Sequence, residues 1–196
     1  MPASRPRQAE FVAGAARAGR LPPPSLPEIA LAGRSNVGKS ALLNRLVGRR
    51  ALARVSKTPG RTQQINFFAV DGRLLLVDLP GYGFARVPVA VKRQWQGLVE
   101  GYLTNRPTLR GVLVLVDLRR GVEADDARLL DFLAAHGVTA LLAVTKIDTM
   151  PRGRRLQRLA EIRAQWAGGA FVPCSAVTGE GVDEVWAALN ALVEPQ

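Results

Sequence analysis

The sequence predicts a three-layer α/β fold: a mostly parallel six-stranded sheet, with one antiparallel strand at its edge and helices on both faces. Three observations predict it. Short apolar runs recur along the chain, most are separated by amphipathic stretches, and polar segments begin where several runs end. Continuous apolar runs of this length are what strands buried on both faces require, and their alternation with helical patterns implies a doubly wound sheet.

Taken in order, the runs are Ile29–Ala32, Ile65–Val70, Leu74–Val77, Val112–Val116, Ala140–Val144 and Ala170–Val172. Asp71-Gly72 joins the second to the third and signals a tight hairpin, so one strand runs antiparallel. Val91, Trp95, Leu98, Val99 and Tyr102 recur at helical spacing, with Lys92, Arg93 and Gln96 off that face. Val182, Val185, Trp186 and Leu189 repeat the pattern near the C-terminus, and the tryptophans read as core residues. The segment 1–25 reads as an extended N-terminal arm, and residues 26–196 as a single domain. A chain of 196 residues is long enough to bury a core of its own.

The most informative segment is Gly33-Arg34-Ser35-Asn36-Val37-Gly38-Lys39-Ser40, which follows the first run and opens a helix. It matches the phosphate-binding pattern G-x-x-x-x-G-K-[ST] in the required strand-to-helix context. Its glycines let backbone N–H groups wrap a phosphate. Lys39 would reach the β- and γ-phosphates, Ser40 would bind Mg²⁺, and the following helix adds its positive end. Asp78-Leu79-Pro80-Gly81 begins where Leu74–Val77 ends. A carboxylate at that position holds Mg²⁺ through water, and the Gly81 N–H can approach a γ-phosphate.

Thr145-Lys146-Ile147-Asp148 begins where Ala140–Val144 ends. A carboxylate accepts hydrogen bonds from guanine N1–H and the 2-amino group; adenine would leave it unpaired, a costly mismatch in a buried site. Lys146 would lay its aliphatic stem over the purine. Cys174-Ser175-Ala176 lies beyond the last run, where a small residue lets a backbone N–H reach guanine O6. Open α/β sheets bind ligands at the carboxyl ends of their strands, so these segments form one site. The long basic stretch from Arg49 to Gln64 contains Thr58-Pro59-Gly60-Arg61-Thr62-Gln63. Beside a phosphate site it reads as a switch, with Thr62, or else Thr58, completing Mg²⁺ coordination when a γ-phosphate is present.

The net charge is +11, from 27 basic and 16 acidic residues, which points to an acidic partner such as RNA. The Arg/Lys concentrations are Arg49, Arg50, Arg54, Lys57 and Arg61 in the switch stretch, and Arg152, Arg154, Arg155, Arg158 and Arg163 on the helix after Asp148. One cysteine and one histidine exclude an internal disulfide and a multi-histidine metal site. The lone cysteine points to a reducing cytosol, so a cytoplasmic location is expected; no apolar run approaches the ~20 residues of a membrane span, and no membrane partner is expected.

Together Gly33–Ser40, Thr58–Gln63, Asp78–Gly83, Thr145–Asp148 and Ser175-Ala176 resemble the five motifs of a translation-factor-class GTPase, in the usual order. Pro-Glu-Ile-Ala ahead of the phosphate loop, then Thr-Pro-Gly-Arg-Thr-Gln and Asp-Leu-Pro-Gly-Tyr-Gly, is similar to the EngB (YihA/YsxC) family, from about Leu26 to Leu192. The resemblance implies a P-loop GTPase fold, binding of GTP and GDP, and slow hydrolysis with Lys39, Thr62 and Gly81 in catalytic positions. It implies nucleotide contacts from Gly33–Ser40, Gly60–Gln64, Asp78–Gly81, Thr145–Asp148 and Cys174–Ala176, and Mg²⁺ held by Ser40, Thr62 and Asp78. By the same resemblance Asn36 coordinates K⁺. The implied role is in assembly of the large ribosomal subunit, contacting ribosomal RNA or a subunit precursor. Cell division and septation depend on that role; no DNA partner is implied, and the chain is expected to be monomeric.

Two positions depart from common GTPase patterns. Thr145 stands where Asn is more widespread, which predicts a weaker tether to the phosphate loop. Tyr82 stands where efficient GTPases carry a water-orienting Gln, which predicts slow intrinsic turnover. Arg34 and Arg61 lie near the phosphates in sequence, where either can act as a catalytic arginine or only neutralise charge. The competing readings are an RNA-binding module with vestigial hydrolysis, and a P-loop ATPase or kinase, against which Thr145–Asp148 argues.

Overall fold

The computed structural model describes residues 8–49, 52–53, 64–82 and 89–194, without the side chains of Ala18 and 89–95. Among these residues seven strands, β1 (Ala9–Ala15), β2 (Glu28–Gly33), β3 (Ile65–Val70), β4 (Leu74–Asp78), β5 (Leu109–Asp117), β6 (Ala140–Thr145) and β7 (Phe171–Pro173), form one sheet. Their order across the sheet is β1-β3-β4-β2-β5-β6-β7. β4, β2, β5, β6 and β7 pair in parallel, while β3 is antiparallel to both neighbours. Five α-helices among the described residues flank it: α1 (Lys39–Leu46), α2 (Val89–Asn105), α3 (Ala124–Ala135), α4 (Arg152–Ala164) and α5 (Val182–Val193).

The six strands read from apolar runs are all present, but the count is seven and the antiparallel strand is not at the edge. β1 occupies the edge beyond β3, within the stretch expected to be an arm. It lacks a continuous apolar run because one side of it stays open: Ala9 and Ala15 are buried, whereas Phe11 and Val12 are exposed. Phe11 packs edge-on to Phe68, with ring centroids 5.7 Å apart, and the register shifts between Phe11 and Ala13. The hairpin between β3 and β4 turns at Asp71 (φ 49°) and Gly72 (φ 62°), and the Asp71 side chain accepts the Gln8 N–H at 2.8 Å.

Successive residues of the central strands enter opposite cores, which explains their uninterrupted apolar runs. Leu113, Leu115, Leu141 and Ala143 join Leu42, Leu43 and Leu46 of α1 and Val182, Val185, Trp186 and Leu189 of α5. Val112, Val114, Val116, Leu142 and Val144 join Leu98, Tyr102 and Leu103 of α2, Leu133 of α3 and Ile162 of α4. Trp186 is buried and its indole N–H donates to the Leu46 carbonyl at 3.0 Å, satisfying an end of α1. The Val91 and Trp95 side chains lie outside the described residues.

At the amino end of β2, Glu28 is fully buried. It accepts from the Arg106 guanidinium at 2.6 Å, from the Tyr102 hydroxyl at 2.8 Å and from Thr108 at 2.8 Å. Burial first, then the Glu28 charge, raises the Tyr102 phenol well above its ordinary value, so it stays a donor. Arg106 also donates to the Pro22 carbonyl at 2.8 Å, which ties the stretch before β2 to the end of α2.

Register brings the carboxyl ends of the parallel strands together. Leu31 pairs with Asp78, Gly33 with Leu115, Asp117 with Thr145, and Val144 with Pro173. The polar segments that follow these strands therefore share one rim. Among the described residues no helix is long and apolar enough to cross a membrane.

Candidate functional site

The loop from β2 into α1 is the centre of this rim. Asn36 (φ 63°) and Gly38 (φ 104°) turn the backbone, and Gly38 caps α1. Lys39 is the first helical residue and is mostly buried; its ammonium pairs with the Asp78 carboxylate at the end of β4. The lysine of one motif and the carboxylate of another thus neutralise each other in a low-dielectric setting, as charges withdrawn from water must. Ser40 follows at the next position of α1, half-buried.

A hydroxyl and a carboxylate are hard oxygen donors, a set that fits Mg²⁺. Among the described residues no group of three or more His, Cys, Asp or Glu side chains is arranged to hold a metal. A divalent cation at Ser40 and Asp78 would take its remaining oxygens from nucleotide phosphates and water, the usual arrangement for Mg²⁺.

On the opposite side of the loop, β6 ends at Thr145. Its hydroxyl lies 2.7 Å from the Val37 carbonyl and 3.1 Å from that of Val116. A hydroxyl has one proton, so it serves one carbonyl at a time, and the phosphate loop is the nearer. Threonine thus does tether the phosphate loop, through one hydrogen bond. Lys146 (φ 60°) donates to the Asn36 carbonyl and pairs with Asp117 at 3.0 Å.

Asp117 was not among the sequence-derived candidates. It ends β5 as Asp78 ends β4, so a carboxylate closing a buried apolar run is the signal that finds it. Arg119 grips it through two nitrogens, at 3.0 and 2.7 Å. Burial alone would raise the Asp117 carboxyl, but hydrogen bonds from Arg119 and Lys146 outweigh it and hold the group well below its ordinary range. A cavity lies beside these residues, lined by Arg34, Asn36, Asp117, Arg119, Asp126 and Lys146.

Asp148 is exposed, within the single helical turn Ile147–Thr149, whereas Ile147 is buried. The Ser175 hydroxyl donates to Asp148 at 2.5 Å and accepts from the N–H groups of Val177 and Thr178 at 3.2 and 3.1 Å. The small residue after β7 therefore orients a carboxylate 27 positions away. Gly181 (φ 77°) makes this turn possible: a Cβ there would lie 2.0 Å from the Pro173 carbonyl oxygen. Cys174 is fully buried, its thiol pushed up to about 12 by burial, and its N–H donates to the Val144 carbonyl at 2.8 Å. That makes it a packing residue that contributes backbone. Ala176 beside it is half-buried.

The segment after Asp78 runs back to the phosphate loop. Leu79 is buried and its N–H donates to the Leu31 carbonyl at 3.1 Å. Pro80 is buried as well. A Cβ on Gly81 would lie 2.8 Å from the Ser35 hydroxyl oxygen and 3.3 Å from the Ser35 backbone, so a larger residue would have to push Ser35 aside. The Ser35 N–H donates to the Tyr82 carbonyl at 3.0 Å, and the Tyr82 hydroxyl donates to Asp126 of α3 at 2.7 Å. Arg34 points to the same helix end, 2.8 Å from Glu123 and 3.3 Å from Asp125.

Gly60, Arg61, Thr62 and Gln63, with Thr58, Arg50, Arg54, Lys57 and Gly83, lie outside the described residues. Gln64 is exposed; its amide donates to Asn66 at 2.9 Å and lies over Gly14 of β1. Of the arginines on α4, Arg155 pairs with Glu180 at 2.9 Å. Arg158 pairs with Glu161 at 2.8 Å and donates to the carbonyls of Leu118 and Arg120. Arg163 stacks on Phe171, while Arg152 and Arg154 are exposed with no acidic partner among the described residues.

Comparison with known proteins agrees with this geometry. Residues 28–146 match the family described as 50S ribosome-binding GTPase. The chain is 50% identical over 187 residues to a probable GTP-binding protein EngB of Geobacter metallireducens, covering 94% of this chain and 92% of that protein. It is 44% identical over 185 residues to a protein of the same description from Exiguobacterium sibiricum, covering 93% and 96%. Among solved structures, a probable GTP-binding protein engB superposes with a TM-score of 0.70 at 24% identity, over 85% of this chain and 98% of that one. Era of Aquifex aeolicus bound to GDP·AlF4⁻ gives 0.71 at 21% identity, over 87% and 58%. At those identities the structural likeness speaks to the fold.

Proposed function

Because this chain belongs to the EngB family of GTP-binding proteins, and so is a P-loop GTPase, we propose that it is a GTP-controlled switch in assembly of the large ribosomal subunit. Its partner is ribosomal RNA or a subunit precursor in the cytoplasm, and normal division and septation depend on that work. The observation that carries this reading is the convergence of Lys39, Asp78, Gly81, Lys146 and Asp148 on the carboxyl rim of one sheet.

In this reading the backbone of Gly33–Ser40 wraps the phosphates, and Lys39 exchanges Asp78 for phosphate oxygens. Ser40, Thr62 and, through water, Asp78 would hold Mg²⁺, which would supply positive charge to the β- and γ-phosphates. Gly81 offers its N–H to the γ-phosphate, and Gly60–Gln64 supply further nucleotide contacts. Asp148, oriented by Ser175, accepts from guanine N1–H and the 2-amino group, and the Ala176 N–H reaches O6. Lys146 covers the purine while holding the phosphate loop at Asn36.

Intrinsic hydrolysis is slow because the residue after Gly81 is Tyr82, whose hydroxyl is already committed to Asp126. Asn36 contributes to a K⁺ site that supplies the missing positive charge; equal turnover in equimolar KCl and NaCl would remove that element. Arg152 and Arg154, with the basic switch stretch, face RNA phosphates. The test is sedimentation of the protein with large ribosomal subunits in GDP and in a non-hydrolysable GTP analogue. Stronger association with the analogue is expected, and identical association in both removes the switch.

A further inference from the structure

Two neighbouring parts of the nucleotide site are tied to one helix end that does not itself belong to a nucleotide motif. From the phosphate loop, Arg34 reaches Glu123 and Asp125. From the segment after Asp78, Tyr82 reaches Asp126, 44 residues away in sequence. All three carboxylates lie at the start of α3.

Asp126 is the one built into the fold. It is 1% exposed, and both of its oxygens are used: one accepts the Tyr82 hydroxyl at 2.7 Å, the other the Glu123 N–H at 2.9 Å. The second bond satisfies a free amide of the helix start. The first does nothing for the helix; it fastens a different segment. Burial first, then the neighbouring Asp126 charge, raises the Tyr82 phenol far above its ordinary value, so it remains a donor.

What this fastening controls is visible in the backbone. Tyr82 sits beside Arg34 as a parallel bridge and accepts the Ser35 N–H through its carbonyl. Gly81 is pressed against Ser35 so closely that a Cβ there would displace the Ser35 hydroxyl and crowd its backbone. The side chain of Tyr82 is anchored on α3 while its main chain lies on the phosphate loop, so anchoring the ring limits where Gly81 can be.

We propose that Asp126 is a positioning residue for triphosphate recognition: it holds Tyr82, and through Tyr82 the Gly81 backbone, against Ser35 of the phosphate loop. The inference rests on the GTP-binding reading, in which the Gly81 N–H meets the γ-phosphate. GDP lacks that group, so the Tyr82–Asp126 bond acts on triphosphate affinity and leaves diphosphate affinity alone. A pre-ordered amide saves the triphosphate the cost of ordering it.

The experiment is fluorescence titration of GDP and a non-hydrolysable GTP analogue against the full chain, as wild type, Tyr82→Phe, Asp126→Ala and the double variant. Tyr82→Phe removes one hydroxyl and leaves Asp126 its helix-capping bond, so it guards against Asp126→Ala failing to fold. Losing one hydrogen bond to a charged group corresponds to about a tenfold weaker analogue affinity, with GDP changed by less than about twofold. The double variant should be no worse than the stronger single one, because both remove the same bond. An unchanged ratio of analogue to GDP affinity in Tyr82→Phe, parallel losses for both nucleotides, or additive losses in the double variant would each overturn the proposal. A wild-type protein that bound neither nucleotide would instead refute the GTP-binding reading beneath it.

Discussion

Asp148 faces solvent with one oxygen held by Ser175, which leaves its other acceptor positions open to a base. Asp148→Asn replaces an acceptor by a donor while Ser175 can still hold the remaining oxygen. Guanine then meets a clash of donors, whereas xanthine, with a carbonyl in place of the 2-amino group, is matched. GTP affinity should fall by a factor of about 10⁴, with preference passing to xanthosine nucleotides in a competition assay; retained GTP preference would disprove the assignment. Asp117 gives a different kind of residue-scale prediction. Its carboxyl is held below the ordinary value of 3.8, so the unfolded chain takes up that proton first. The stabilisation is complete above about pH 4 and drains away as the pH falls further. Asp117→Asn should therefore flatten the acid side of a melting-temperature profile, and an acid side as steep as in the wild type would show the ion pair contributes nothing. Asp148 was legible in the sequence because its chemistry is carried by a four-residue motif. Asp117 carries no such motif: its place at the end of an apolar run marks it, but its role emerges only when Lys146 and Arg119 fold back on it.

At the scale of elements, the buried Glu28–Arg106 pair joins the start of β2 to the end of α2, with the Tyr102 and Thr108 hydroxyls as further donors to Glu28. Arg106→Met would strand a carboxylate in the core, at a cost of about 3–5 kcal/mol in urea unfolding. Glu28 and the phosphate loop lie at opposite ends of β2, so guanine nucleotide affinity of the folded variant should be unchanged. A loss below about 1 kcal/mol would mean that water reaches Glu28. The strands themselves were legible wherever both faces are buried, since apolar residues then follow one another without a break. β1 was not, because only two of its seven residues are fully buried and its stability comes from pairing with β3. The link from α3 to the phosphate loop was equally invisible: Glu123-Ala124-Asp125-Asp126 reads as an ordinary acidic helix start.

For the molecule as a whole, the excess of positive charge predicts how it meets its partner. If it binds RNA through phosphates, association with large ribosomal subunits should weaken by about a hundredfold or more between 50 and 200 mM salt. A flat salt response would point to a protein contact instead. The convergence of the motifs was legible from one rule, that open parallel sheets bind ligands at their carboxyl ends, and the strand register brings the segments that follow Gly33, Asp78, Thr145 and Pro173 to that end. The outer strand has a practical meaning for anyone shortening this chain. Removing everything before Leu26 would strip the cover from β3 and leave its row of N–H and C=O groups bare. Such a row recruits other strands, so trimmed copies should stick to one another and precipitate while each still recognises guanine.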